Sequence, residues 1–348
     1  MGVLHQYSSR YHHRHSPDQD PGRPTGVQER EAGRFDTIGF LALWIGALQF
    51  VLDKGQGDDW FNDTKICIAA VVVVLGLLAF LYRMFTAKEP LVNLRAFANR
   101  NLAFGCFLVF TLGGVLYGLT TVLPVLHQTL LGYGAASSGL AVSPRGLGSM
   151  VSSIAVGILV SKLDPRYLVA FGFAFLAVSG FWMAGVTLDI SQWSLFWPIT
   201  ISGASIAMIF VPLSSVALGT LSWKATGNAS AIFNFLRNVG GGVGISVSSA
   251  IVQRHAQAHR NEMVHSLTSA NPSLRLQLEG LTQLMSKHVG APEALKRAWK
   301  ITDLSLNAQA SLRGNVDCLR YFAMVSALCV PLAFILKKPK PGAKPAAG

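Results

Sequence analysis

The sequence predicts an all-α integral membrane protein with eight transmembrane helices, and three observations carry that prediction. Apolar residues make up 51% of the chain and charged residues only 13%, about half the ~25% usual in globular proteins. The apolar residues lie in long uninterrupted runs, too long for the periodic stretches of a soluble core. Lysine and arginine in the short loops between these runs fall almost entirely on one side. A net charge of +12 would suggest nucleic acid in a soluble protein. Here that bias explains much of it, and no nucleic-acid partner is expected.

Residues 1–34 are polar and basic, with Pro17, Pro21 and Pro24, and read as a disordered tail. His12, His13 and His15 lack a spaced second ligand set, so they read as solvated and not as a metal site. No apolar run lies in the first thirty residues, and no cleavable signal peptide is expected. The first span is Thr37–Leu52, short against the ~20 residues a bilayer asks for, so flanking residues are expected to join it. The second is Ile66–Tyr82, with the core VVVVLGLLAFL. A basic loop, Arg83–Asn101, follows and contains Glu89 and Pro90.

The 43 residues from Leu102 to Pro144 carry no charge and must fold back once. Gly132, Gly134, Ser137 and Ser138 place the turn. The third span is therefore about 102–126 and the fourth about 136–161. The fifth is Tyr167–Leu188, the sixth about 193–220, the seventh Gly227–Gln253 and the eighth Leu319–Leu336. With the N-terminus cytoplasmic, the inner short loops and C-terminal tail hold eleven basic residues: Arg83, Lys88, Arg95, Arg100, Lys162, Arg166, Lys224, Lys337, Lys338, Lys340 and Lys344. The outer short loops hold only Lys54 and Lys65. Both termini are expected to be cytoplasmic.

Segment 254–318 is too long for the charge rule to apply and is expected outside the membrane. Asn271-Pro272 reads as a helix start, with Leu274, Leu278, Leu281 and Leu284 on one face. Pro292 opens a second pattern of Leu295, Trp299, Thr302, Leu306 and Gln309, running towards the eighth span. Two amphipathic helices are expected, capping the bundle mouth or holding a partner. The predicted organisation is thus a tail (1–34), two helices (35–85), a six-helix bundle (86–338) with the extracytoplasmic helical loop 254–318, and a cytoplasmic tail (339–348).

The seventh span is the one the others are expected to cover. Gly227, Ser230, Asn234, Arg237, Gly241, Gly244 and Ser248 recur at steps of three and four, making one small, polar face. Ile232, Phe233, Phe235, Leu236, Val239 and Val243 occupy the other, expected to face lipid. Arg237 lies ten residues past Gly227, or ~15 Å along the helix. A guanidinium at that depth costs roughly 2.5–3.5 kcal/mol to insert and normally faces a bundle interior or wet cavity. Arg237, Asn234 and Gly241 are therefore candidate substrate-path residues, and Gly240/Gly244 a close-packing GxxxG pair.

Arg145, in Ser143-Pro144-Arg145-Gly146-Leu147-Gly148-Ser149, is a second candidate path charge, with Gly148 as a packing position. Interfacial snorkelling explains Arg145 equally well. The loop carrying Lys162, Asp164 and Arg166 is short and charged, and reads as a gate latch or as a plain anchor.

No enzyme constellation is present. His255 and His259 are i, i+4 but lack the glutamate of an HExxH helix. No carboxylate lies mid-span, and the four cysteines show no CxxC spacing. No metal or other cofactor is expected.

Several motifs resemble the fourteen-helix drug:proton antiporters of the major facilitator superfamily, including bacterial multidrug pumps that work with a periplasmic adaptor protein. Phe35-Asp36-x-Ile38-Gly39 resembles the start of the first helix between that family's halves. Leu52-Asp53-Lys54-Gly55-Gln56 with Asp59-Trp60-Phe61 resembles its outer end. Pro90-Leu91-Val92-Asn93-Leu94 with Phe97 resembles the loop before the second half, and Asn234-Phe235-Leu236-Arg237-Asn238 the penultimate helix. Ser161 stands where the family's related loop often has aspartate.

The resemblance implies half of a major facilitator fold plus two linker helices, in a bacterial inner membrane. It implies proton-coupled export of amphipathic small molecules by alternating access. It also implies that six earlier helices are missing. The chain is then a truncated product, or needs an N-terminal half in trans and an adaptor. The alternative is a non-transporting membrane assembly or regulatory protein that uses segment 254–318 to bind a partner.

Overall fold

The computed structural model describes residues 39–40, 42–52, 54–55, 62–86, 99–188, 190, 192–219, 221, 223–266, 272–287 and 289–337. The basic tail with its histidines, most of the Phe35-to-Phe61 motifs outside these ranges, the Pro90-to-Phe97 loop and the 339–348 tail lie outside the described residues.

Helix is the only regular structure among the described residues. The elements are α1 (Ala42–Leu52), α2 (Thr64–Thr86), α3 (Arg100–Val125, prolonged by a π turn over Leu126–Leu130), α4 (Ala135–Val142) and α5 (Pro144–Leu159). They continue with α6 (Pro165–Met183), α7 (Gln192–Leu218), α8 (Trp223–Ser266), α9 (Pro272–Ser286) and α10 (Ala291–Ala333). Seven stretches of the described residues are long and apolar enough to cross a membrane, α4 and α5 forming one together, and α1 is a shorter apolar helix. The protein is a multi-pass membrane protein.

Local chemistry sets the ends of these helices. Asn99 caps α3, its side-chain oxygen accepting from the backbone N–H of Asn101 at 2.9 Å. Asp164 caps α6 by accepting from the Arg166 N–H at 3.2 Å, with Pro165 at the first helical position. Between α4 and α5 the expected single helix over 136–161 is broken at Ser143. Pro144 has no N–H, and its ring crowds the carbonyl one turn back, so a new helix starts there.

The core lies between α3, α6, α7, α8 and α10, where Leu108, Leu112, Leu119, Phe173, Ile209, Leu213, Phe233 and Leu319 are buried. Buried Asn101 closes the bundle at one end. Its Nδ2 donates to the Lys337 carbonyl at 3.0 Å, and its Oδ1 accepts from the Lys337 N–H at 2.8 Å. The start of α3 and the end of α10 thus meet at the same end.

Outside this core, α1 lies between α2 and α8. The Trp44 ring stacks on Phe80 with centroids 6.2 Å apart and meets Phe235 at 5.9 Å. Ile68, Val71, Val74, Leu75 and Leu78 on α2 are exposed, as are Val151, Ile154 and Ile158 on α5. Exposed apolar area on this scale is unusual in a soluble monomer and suits contact with acyl chains.

Segment 254–318 is helical at 254–266, 272–286 and 291–318. The first and last of these pieces are not separate helices. They prolong α8 and α10, which run unbroken for 44 and 43 residues. The buried face of this part of α10 is Ala294, Ala298, Thr302, Leu306 and Ala310, whereas Leu295 and Trp299 are half-exposed. Thr302 and Leu306 of the expected face are buried, whereas Leu295, Trp299 and Gln309 each stand one position from the buried Ala294, Ala298 and Ala310. Alanines let α10 approach its neighbours closely, and the larger residues stand at the margin.

Candidate functional site

Two helix crossings, α3 with α8 and α5 with α7, carry the charged residues. Both are built on glycine. A Cβ at Gly240 would strike the Phe110 carbonyl, one at Gly244 the Gly114 backbone, and one at Gly113 the Arg237 carbonyl. In the second crossing, a Cβ at Gly148 would strike the Thr200 carbonyl, and one at Gly203 the Arg145 carbonyl. Each arginine therefore sits where its own backbone touches a glycine of the neighbouring helix. Close backbone approach fixes the depth of both side chains.

Arg237 is half-buried. Its guanidinium carbon lies 4.9 Å from the centre of the Phe210 ring on α7, and that ring lies 6.0 Å from Phe233. Its Nε is buried and has no hydrogen-bond partner among the described residues. A desolvated cation–π contact is worth about 2 kcal/mol, comparable to but below the roughly 2.5–3.5 kcal/mol cost of placing the charge at a helix centre. The ring holds the charge without satisfying its donors.

Asn234, one turn earlier, is half-buried, and its Nδ2 donates to the Ser230 carbonyl at 3.0 Å. Gly241 is buried under Tyr117 of α3, whose ring carbon lies 2.5 Å from where a Cβ would stand. Ser248 is buried, and the Cys318 Sγ of α10 lies 3.9 Å from its carbonyl.

The supposed lipid face of α8 is corrected by the structure. Ile232 and Phe233 are buried, and Phe235, Leu236, Val239 and Val243 are half-buried. The helix packs against α1, α3, α7 and α10, so its apolar side faces protein for much of its length. An amphipathic pattern shows that two faces differ; it does not show that either is exposed.

Arg145 occupies the first turn of α5, and its side chain crosses to α3. Nη1 donates to the Thr120 hydroxyl at 2.9 Å and Nη2 to the Leu116 carbonyl at 3.3 Å. Its Nε is buried without a partner among the described residues. These bonds tie α5 to α3 across the bundle, so the side chain faces protein. At the start of α6, Arg166 Nε lies 3.4 Å from the Oδ1 of the capping Asp164, while Lys162 in the preceding turn is exposed. The pair closes within its own turn.

Sequence reasoning missed Phe210, Thr120, Gly113 and Gly203. Gly114 and Gly118, spaced four apart on α3, gave a readable small-xxx-small signal that also went unused. Nothing in the sequence marks Phe210 among twenty phenylalanines.

Residues 31–245 match the profile described as Major Facilitator Superfamily. Among curated proteins, the chain is 33% identical over 270 residues to the multidrug export protein EmrB of Escherichia coli K12, covering 75% of this chain and 51% of that protein. It is 30% identical over 305 residues to the probable multidrug resistance protein EmrY of the same strain, covering 86% and 57%. It is 28% identical over 300 residues to the fatty acid resistance protein FarB of Neisseria gonorrhoeae, covering 86% and 58%. The chain spans a little over half the length of these curated relatives. A profile match over more than half of the chain, on an all-helical structure with seven membrane-crossing stretches among the described residues, identifies this chain as a member of the Major Facilitator Superfamily.

Proposed function

We propose that the chain forms the linker helices and second six-helix half of a proton-coupled exporter of amphipathic compounds, working by alternating access against a first half. Arg237 carries this reading: a charge deep in a spanning helix, held over an aromatic ring with one donor uncommitted. Arg237 and Asn234 line the path, Arg145 couples α5 to α3, and the Asp164–Arg166 turn anchors the cytoplasmic side. No carboxylate lies mid-span in this chain, so the proton-carrying acid belongs to the partnering half. The names of EmrB and EmrY support a multidrug substrate range, and a periplasmic adaptor fits the helical extensions of α8 and α10.

The test uses this chain together with a first six-helix half in inverted membrane vesicles. Uptake of a fluorescent lipophilic cation should follow an imposed proton gradient and stop when the gradient is collapsed. Vesicles that take up the dye equally well without this chain would end the proposal.

Membrane orientation has its own check. The charge bias supports cytoplasmic placement of both termini. In a variant lacking the four native cysteines, an introduced cysteine at Leu130 should react with an impermeant maleimide in intact cells, and one at Lys340 only after lysis. The opposite pattern inverts the topology.

A further inference from the structure

Beyond the bundle core, where Gly314 of α10 packs on Val252 and Ala256 of α8, three side chains converge that no part of the transport reading uses. His255 and His259 lie one turn apart on α8, and Asp317 faces them from α10. His255 Nδ1 is 2.9 Å and His259 Nε2 2.8 Å from the same oxygen, Asp317 Oδ2. Ligand atoms of all three residues lie within 4.8 Å of one another. The geometry points to a divalent transition-metal site of the zinc class, with His255, His259 and Asp317 as protein ligands and a fourth position open to solvent.

Two imidazoles and a carboxylate form a donor set suited to zinc, with bonds of about 2.0–2.2 Å. Tetrahedral placement of such ligands separates them by about 3.3 Å, so each histidine withdraws from Asp317 by about half an ångström while the two ring nitrogens, which lie within 4.8 Å of each other, close to the same spacing. The i, i+4 spacing puts both rings on one face of α8.

The groups behind the ligands strengthen the assignment. His259 Nδ1 lies 3.8 Å from Glu262 Oε2, and Arg320 Nη1 lies 3.5 Å from the other oxygen of Asp317. A metal-binding histidine typically gives its second ring N–H to a carboxylate, which fixes its tautomer. Glu262 is within ion-pair range of His259 Nδ1 and reaches that N–H by closing under one ångström when His259 Nε2 binds the ion. Arg320 keeps the free Asp317 oxygen occupied, leaving Oδ2 for the metal. His255 is half-exposed and its carboxylate partner only partly covered, which leaves an entry path. Asp317 is distant in sequence from both histidines, which is why spacing alone gives no metal motif here.

This inference does not rest on the transport reading, and its test needs no transport. The full chain is purified without a polyhistidine tag, with His5, His12, His13 and His15 replaced by alanine so that the tail holds no ion. Cobalt(II) should bind at one equivalent with the intense visible band of a four-coordinate site, and zinc should displace it. His259→Ala and Asp317→Asn should each abolish the band and weaken uptake at least tenfold, whereas His265→Ala should leave both unchanged. Zinc should also raise the melting temperature of the parent protein but not of His259→Ala. Equal melting of the ion-free parent and variants excludes misfolding as the cause of the loss. Absence of stoichiometric uptake, or uptake indifferent to His259→Ala in a folded protein, would reduce the cluster to a hydrogen-bonded clasp and overturn the assignment.

Discussion

Arg237→Ala is expected to reach the membrane at normal levels and to lose at least about nine-tenths of its transport rate when paired with a first half. Insertion becomes easier, because the substitution removes a charge that costs roughly 2.5–3.5 kcal/mol at a helix centre. Loss of a hydrogen bond from a charged donor to the cargo, worth about 1.5–3 kcal/mol, changes an equilibrium roughly tenfold or more, which sets the size of the effect. Arg237→Lys should recover only part of the rate. It keeps the charge, but not the flat guanidinium that lies on Phe210 or its fork of donors. Phe210→Leu should move the rate in the same direction by less, since it removes the ring and leaves the arginine. Phe235→Leu is the comparison: it loosens the contact with Trp44 and should transport nearly normally. Initial rates in vesicles, normalised to inserted protein, decide the matter. Full activity in Arg237→Ala would remove the residue from the substrate path.

Gly244→Leu should have the largest effect on stability. A Cβ there would lie 2.5 Å from the Gly114 Cα and 2.6 Å from its carbonyl carbon. Backbone cannot yield as a side chain can, so α3 and α8 must separate along a crossing that also includes Gly113 and Gly240. Overpacking a fitted interior usually costs about 1–3 kcal/mol, and obstruction by backbone places this variant at or above the top of that range. The expected result is little folded protein in detergent, with a lowered melting temperature in what remains. Gly242→Ala separates this cause from a general intolerance of glycine replacement. Its new methyl meets the flexible Gln49 side chain instead. Gly157→Leu, with nothing within 4 Å, should melt with the parent. A Gly244→Leu protein that also melts with the parent would show that the crossing can open at no cost.

The spans were legible because a bilayer imposes a length and a composition on every helix that crosses it. That constraint marks out α2, α3, α6 and α7 from residue type alone. It also set the limit of the reading. Hydropathy falls where α8 passes Gln253 and is low where α10 approaches Leu319, so hydropathy alone bounds the seventh and eighth spans there. Backbone hydrogen bonding does not stop at a change of solvent, so both helices continue.

Arg237 and Arg145 were legible as charges in the wrong solvent. Their partners were not, because Phe210, Thr120 and Leu116 are ordinary residues that matter only through tertiary placement. Gly240 and Gly244 stood out by their spacing on one helix. Gly203 did not, since it serves a crossing whose other side is a plain carbonyl.

The unbroken course of α8 and α10 has a mechanical consequence. From Arg237 to Ser266 the helix is continuous, a rod of about 43 Å at the usual rise. A rod pivoting near the depth of Arg237 magnifies small motions: a tilt of about 10° sweeps its tip through about 7 Å over that length. The rod carries the swing past the end of the bundle. The bundle need only lean slightly for its far end to be levered through more than the width of a side chain.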